Sequence, residues 1–155
     1  MAEYLAPESI DAMYVSPQKR AIETAAPLAA TTGLTPSIVE GIAEFDLGHS
    51  SYVPGEEADP YTPAELDDLV AALTAAPFVG RVLDSVGTII KNHPGETVAA
   101  VCHGGVISTV LADVLGLDGT DYFAAQYTSV TRIKANRAGR SSLASYNECP
   151  WLRTM

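Results

Sequence analysis

Apolar positions recur along this chain in two rhythms. Short runs of small and β-branched residues end abruptly at turn residues, while longer stretches place apolar residues three and four apart. Ala12-Met-Tyr-Val15 predicts a short strand. It stops at Ser16-Pro17, a pair suited to a helix N-cap followed by proline at the first helical position. The helix then follows Ala21, Ile22, Ala25 and Leu28 and closes at Gly33. Pro27 is expected to kink or interrupt its second half. Residues 37–45 predict a second strand. From Gly48 to Tyr61 the pattern dissolves into Gly, Ser, Pro and acids, which marks a loop.

Thr62-Pro-Ala-Glu65 matches a capping box, and Leu66, Leu69, Val70 and Leu73 form one face of a helix that Pro77 ends. A second amphipathic helix turns Val79, Val82, Leu83, Val86, Ile89 and Ile90 inward and closes at His93-Pro94-Gly95. Residues 97–102 (TVAAVC) are a continuous apolar run, the pattern of a strand buried on both faces. His103-Gly104-Gly105 breaks it. Val106, Ile107, Val110, Leu111, Val114 and Leu115 then line a helix ending at Gly116. Two late strands are expected at 129–134 and 142–146. Strands alternating with amphipathic helices predict an α/β fold with a mainly parallel sheet. At 155 residues, without repeats or low-complexity segments, the expectation is one domain spanning 1–155.

Charge narrows the partners. Nine basic against nineteen acidic residues give a net charge of −10, which argues against nucleic acid or an anionic membrane as partner. A small anion is still allowed, because a few converging donors reverse the local potential. Cys102 and Cys149 form no C-x-x-C pattern, and His49, His93 and His103 are scattered, so neither a metal nor a cofactor is expected. The first residues have no basic region followed by a long apolar core, and no apolar run approaches a bilayer span. A cytoplasmic location is expected.

Two strand-to-helix junctions stand out, Val15-Ser16-Pro17-Gln18-Lys19-Arg20 and Val101-Cys102-His103-Gly104-Gly105. In an open parallel sheet both lie at carboxyl ends of strands, where ligands bind. Helix N-termini there offer unpaired N–H groups to an anion. Arg20 lies one turn into its helix, with a planar fork suited to phosphate oxygens. His103 can donate from the other junction, and the glycines after it let a ligand approach the backbone. If the strands are neighbours, Arg20 and His103 converge on one anion.

Ser16-Pro-Gln-Lys-Arg-Ala-Ile-Glu-Thr-Ala25 resembles the S-P-x-x-R-A-x-x-T-A motif of the histidine phosphatase (phosphoglycerate mutase-like) superfamily. Glu40-Gly-Ile-Ala-Glu44-Phe-Asp-Leu-Gly48 is similar to that family's acid-bearing segment. Val101-Cys-His-Gly-Gly-Val-Ile107 resembles its second histidine motif, and Tyr146-Asn147-Glu148 its closing strand. The resemblance implies a three-layer α/β/α fold and a phosphomonoester hydrolase acting on a small phosphorylated substrate through a phosphohistidine. In the implied roles Arg20 clamps phosphate oxygens and His103 hydrogen-bonds the transferring group. Gly104 adds substrate contact, and Glu44 protonates the leaving oxygen before activating water. No metal or organic cofactor is implied, and Ser16 reads as a helix cap.

One departure is large. The family carries its nucleophile in an R-H-G motif on a strand before S-P-x-x-R-A, and no Arg-His dipeptide occurs here. The resemblance therefore implies a chain that lacks the first strand, with the nucleophile elsewhere and an exposed sheet edge that invites pairing between copies. The competing expectation is a non-catalytic phosphate-binding or interaction module. His49 is set aside as a substitute nucleophile because it falls in the loop, and His93 reads as a helix C-cap. Cys102 reads as core. A thiol phosphatase would need arginine six residues on, where Ser108 stands. The acidic run Gly55-Glu-Glu-Ala-Asp59 reads as a solvated loop.

Overall fold

A computed structural model describes residues 1–45, 68, 71, 72, 74–118 and 123–151. In chain order its elements are α1 (Ala2–Leu5), β1 (Ala12–Val15), α2 (Lys19–Thr32), β2 (Ser37–Ile38) and a 3-10 turn (Glu40–Ile42). There follow α3 (Ala76–Asn92), β3 (Val98–Val101), α4 (Gly104–Leu115), β4 (Val130–Ala135) and β5 (Ser141–Glu148). The strands β2-β1-β3 form a parallel sheet, with Tyr14 opposite Ser37 and Val15 opposite both Ile38 and Val101. A second sheet pairs β4 with β5 antiparallel.

Side-chain alternation along β1 divides the core into two layers. Met13 and Val15 pack on one face with Leu5 of α1 and with Ala21, Ala25 and Leu28 of α2. Tyr14 points to the other face, where Ile42, Phe78, Val82, Val106 and Val110 bring in the turn, α3 and α4. The three-layer α/β/α arrangement follows. The loop at 48–61, most of the capping-box helix at 62–73, the acidic run 55–59 and His49 lie outside the described residues.

Several expectations need correction. The second helix starts at Lys19 with Gln18 as N-cap, not at Pro17 after a Ser16 cap. Ser16 is still held in the sheet, its N–H donating to the Val101 carbonyl at 3.0 Å. Pro27 does not interrupt α2, which runs unbroken through Thr32. The proline lies on the exposed face, so the carbonyl it leaves unpaired can turn to water. The second strand covers only two residues because α3 captures the chain beyond it. Arg81 donates to the carbonyls of Glu40 (2.9 Å), Gly41 (3.1 Å) and Ala43 (3.0 Å), which fold into the 3-10 turn. Gly41 lies so close to α3 that a Cβ there would sit 1.6 Å from Ser85 Oγ. Finally, β3 is only half-buried rather than covered on both faces. It is the last strand of its sheet, and no ladder joins it to β4 among the described residues.

An ionic clamp ties the N-terminal segment to the antiparallel pair. Arg132 on β4 donates to both oxygens of Glu8 (2.7 and 2.6 Å) and, through Nε, to both oxygens of Glu148 on β5 (3.0 and 3.1 Å). Tyr4 Oη donates to Glu148 at 2.7 Å. The guanidinium holds the Glu8 carboxyl below the ordinary glutamate range. Glu148 is lowered as well, first by the Ser145 hydroxyl and then by Tyr4 and Arg132. These contacts, with Ile133 and Val130 packed on the two core layers, seat the second sheet against the first.

Candidate functional site

Parallel pairing of β1 with β3 brings both junctions to the same end of the sheet. Arg20 and His103 meet there: Arg20 Nε donates to His103 Nδ1 at 3.3 Å, across 83 positions of sequence. His103 is the N-cap of α4 and only 8% exposed, and its Nε2 lies 2.7 Å from Ser16 Oγ. Ser16 is wholly buried. Each junction therefore supplies one cationic or donor group at a helix N-terminus, the arrangement that stabilises an oxyanion.

Glu44 joins them from the chain just after the 3-10 turn. It is 7% exposed, and its Oε2 accepts the Gly105 N–H at 2.9 Å, in the first turn of α4. Its Oε1 accepts the Phe45 N–H at 3.2 Å. The helix N-terminus compensates for the burial of this carboxyl. The Glu44 N–H in turn donates to Gln18 Oε1 at 2.9 Å, so the first junction holds the acid segment in place. Gly104 is exposed, and a Cβ built on it meets no described atom within 4 Å, so the backbone beside His103 is open to a ligand.

The structure thus gathers all four sequence-predicted positions, Arg20, His103, Glu44 and Gly104, around one sheet end. It adds two that the sequence reading missed. Gln18 had no chemical signature of its own, and only its reach to Glu44 reveals its part. Ser16 was read as a helix cap. The strand-end position of a buried hydroxyl was the available signal, since that place faces the next junction. Cys102 packs against the second core layer, and burial pushes its thiol up to about 12, which leaves no thiolate nucleophile. His93 caps α3 and turns its ring to Tyr14 Oη (2.7 Å) and Glu96 (2.5 Å), away from Arg20. Among the described residues no three His, Cys, Asp or Glu cluster as metal ligands. No helix among them is long and apolar enough to cross a membrane.

A concavity of about 590 Å³ lies elsewhere, lined by Met1, Tyr4, Thr24, Pro27, Thr128 and Trp151. Its lining holds neither an imidazole nor a guanidinium. The convergent donors at the shared end of β1 and β3 are therefore the candidate site.

The family model described as histidine phosphatase superfamily (branch 1) matches residues 1–148. No curated protein matches at a significant level. Among solved structures, a mycobacterial glucosyl-3-phosphoglycerate phosphatase in complex with VO3 superposes with a TM-score of 0.77 at 22% identity, covering 96% of this chain and 81% of its own. Bacillus stearothermophilus YhfR gives 0.77 at 26% identity, covering 96% and 79%. The phosphoserine phosphatase of Entamoeba histolytica, in complex with 3-phosphoglyceric acid, gives 0.68 at 22% identity, covering 96% and 78%.

Proposed function

The chain belongs to the histidine phosphatase superfamily, and from that premise we propose that it is the phosphate-binding part of a phosphomonoester hydrolase working through a phosphohistidine. The observation that carries this reading is the Arg20–His103 contact at the shared end of β1 and β3, with the buried Glu44 carboxyl beside it. Arg20 grips non-bridging oxygens with its fork while His103 hydrogen-bonds the group in transfer, so both oppose the charge that builds in the transition state. Glu44 gives a proton to the departing oxygen and then takes one from water. The substrate is a small phosphorylated molecule, as the names of the structural relatives indicate for those proteins. The whole of 1–155 acts as one domain in this reading, with neither metal nor organic cofactor.

In this reading the nucleophilic histidine lies outside these 155 residues, because they contain no Arg-His dipeptide. The break in the sheet supports its arrival on a further strand. Val101 and Val130 border one core layer, and Cys102 and Ile133 border the other, yet among the described residues no ladder connects β3 to β4. A parallel strand laid against the open edge of β3 would end beside His103.

The residues as given are therefore expected to bind inorganic phosphate but to hydrolyse an aryl phosphate negligibly, since loss of a covalent nucleophile costs several orders of magnitude in rate. Calorimetric titration beside a turnover assay checks both halves. Robust hydrolysis by a mass-verified sample would overturn the missing nucleophile, and absence of phosphate binding would overturn the site. The second reading, a non-catalytic binding module, is favoured by the lack of any Arg-His pair. It fails if a longer in-frame product turns over substrate and His103→Ala abolishes that turnover.

A further inference from the structure

The role of Ser16 goes beyond capping. Its hydroxyl oxygen accepts the Gln18 backbone N–H at 3.3 Å, which fixes it in place, and it lies 2.7 Å from His103 Nε2. The other ring nitrogen, Nδ1, faces Arg20 Nε at 3.3 Å. A guanidinium N–H can only donate, so Nδ1 accepts. A neutral imidazole whose Nδ1 accepts carries its proton on Nε2, and that proton points at Ser16 Oγ. The nitrogen turned towards Arg20 is thus a lone pair.

We propose that Ser16 is a positioning residue that holds His103 in the Nε2–H form, so that an oxyanion entering beside Arg20 binds with uptake of one proton at Nδ1. The proposal rests on the phosphate-site reading. An anion meeting a lone pair is repelled. Protonation from solvent turns Nδ1 into a donor while the Nε2–H stays on Ser16, and the Arg20 guanidinium is released from Nδ1 to the anion. Among the described residues, two charged groups face the ring from the elements packed here. Arg20 on α2 opposes a second positive charge, whereas the Glu44 carboxyl at the N-terminus of α4 favours it. Cys102 stays an uncharged thiol. The arriving anion tips the balance towards the imidazolium.

Inorganic sulfate is the probe, because it stays a dianion throughout the neutral range and brings no proton of its own. Calorimetry in two buffers of different ionisation enthalpy is expected to report one proton taken up per sulfate. Affinity should fall about tenfold per pH unit once free His103 is neutral. Nitrogen-15 shifts of the free protein should show the Nε2–H form. In Ser16→Ala the Nδ1–H form becomes accessible and can donate directly, so proton uptake drops below one and the pH slope flattens, while Ser16→Thr restores both. Binding without proton uptake, an Nδ1–H ring in the free protein, or unchanged linkage in Ser16→Ala overturns the proposal alone. Failure of sulfate and phosphate to bind at any pH overturns the phosphate-site reading with it. Should Ser16→Ala not fold, the tautomer and proton count of the unaltered protein still decide.

Discussion

A guanidinium earns its place at this site through shape as much as charge. Arg20 presents Nε to His103, and its planar fork carries further N–H donors in fixed directions that an ammonium cannot reproduce. Arg20→Lys keeps the charge and loses the fork, so its affinity for inorganic phosphate should fall roughly 30-fold, about 2 kcal/mol. Titration calorimetry measures the change, and an affinity equal to that of the unaltered protein would remove Arg20 from the phosphate contact. Residues of this kind were legible in the sequence because their spacing from a strand end is fixed. Four positions separate Ser16 from Arg20, which falls in the first turn of α2, and only Cys102 stands between the end of β3 and His103. Ser16 and Gln18 were not legible in the same way. Their roles depend on partners 87 and 26 positions away, a relation that no local pattern encodes.

At the scale of elements, the short turn over Glu40–Ile42 decides where the acid stands. Arg81 holds two of its carbonyls and that of Ala43 just after it, and Gly41 packs against Ser85 of α3 with no room for a side chain. Gly41→Ala therefore has to push the turn away from α3, at an expected cost of about 1–3 kcal/mol. The same shift would move Glu44 off the Gly105 N–H. Urea denaturation reads the first effect and phosphate turnover by a catalytically complete form reads the second. Ser85→Ala should recover part of the loss, because the obstructing hydroxyl is gone. The sequence predicted a strand throughout this stretch from its β-branched residues. It could not register that a guanidinium on a helix forty positions later competes for the same carbonyls. In α2, likewise, the proline rule gave way because Pro27 falls on the solvent side, and periodicity fixed that side more firmly than residue type. The boundaries of β1, by contrast, match the sequence expectation residue for residue, since Ala12 to Val15 alternate cleanly between two core layers.

Across the whole molecule, stability is expected to follow pH through the Arg132 clamp. Glu8 and Glu148 both have their carboxyls lowered on folding. Groups lowered in this way stabilise the folded state above the ordinary glutamate range and lose that contribution as the pH falls through their depressed values. Arg132→Ala should cost about 1–2 kcal/mol at neutral pH, discounted for the partial exposure of the pair, and should flatten the acid limb of the stability profile. Chemical denaturation repeated from neutral to acid pH tests it. A variant that keeps the same acid limb would show that other carboxyls govern it. The clamp also sets a timetable. Its two halves are 124 positions apart, so Glu8 lacks its ionic partner until the final hairpin has been synthesised, whereas Leu5 can pack on α2 well before. Closure of the Glu8–Arg132 pair should accordingly be among the last events of folding.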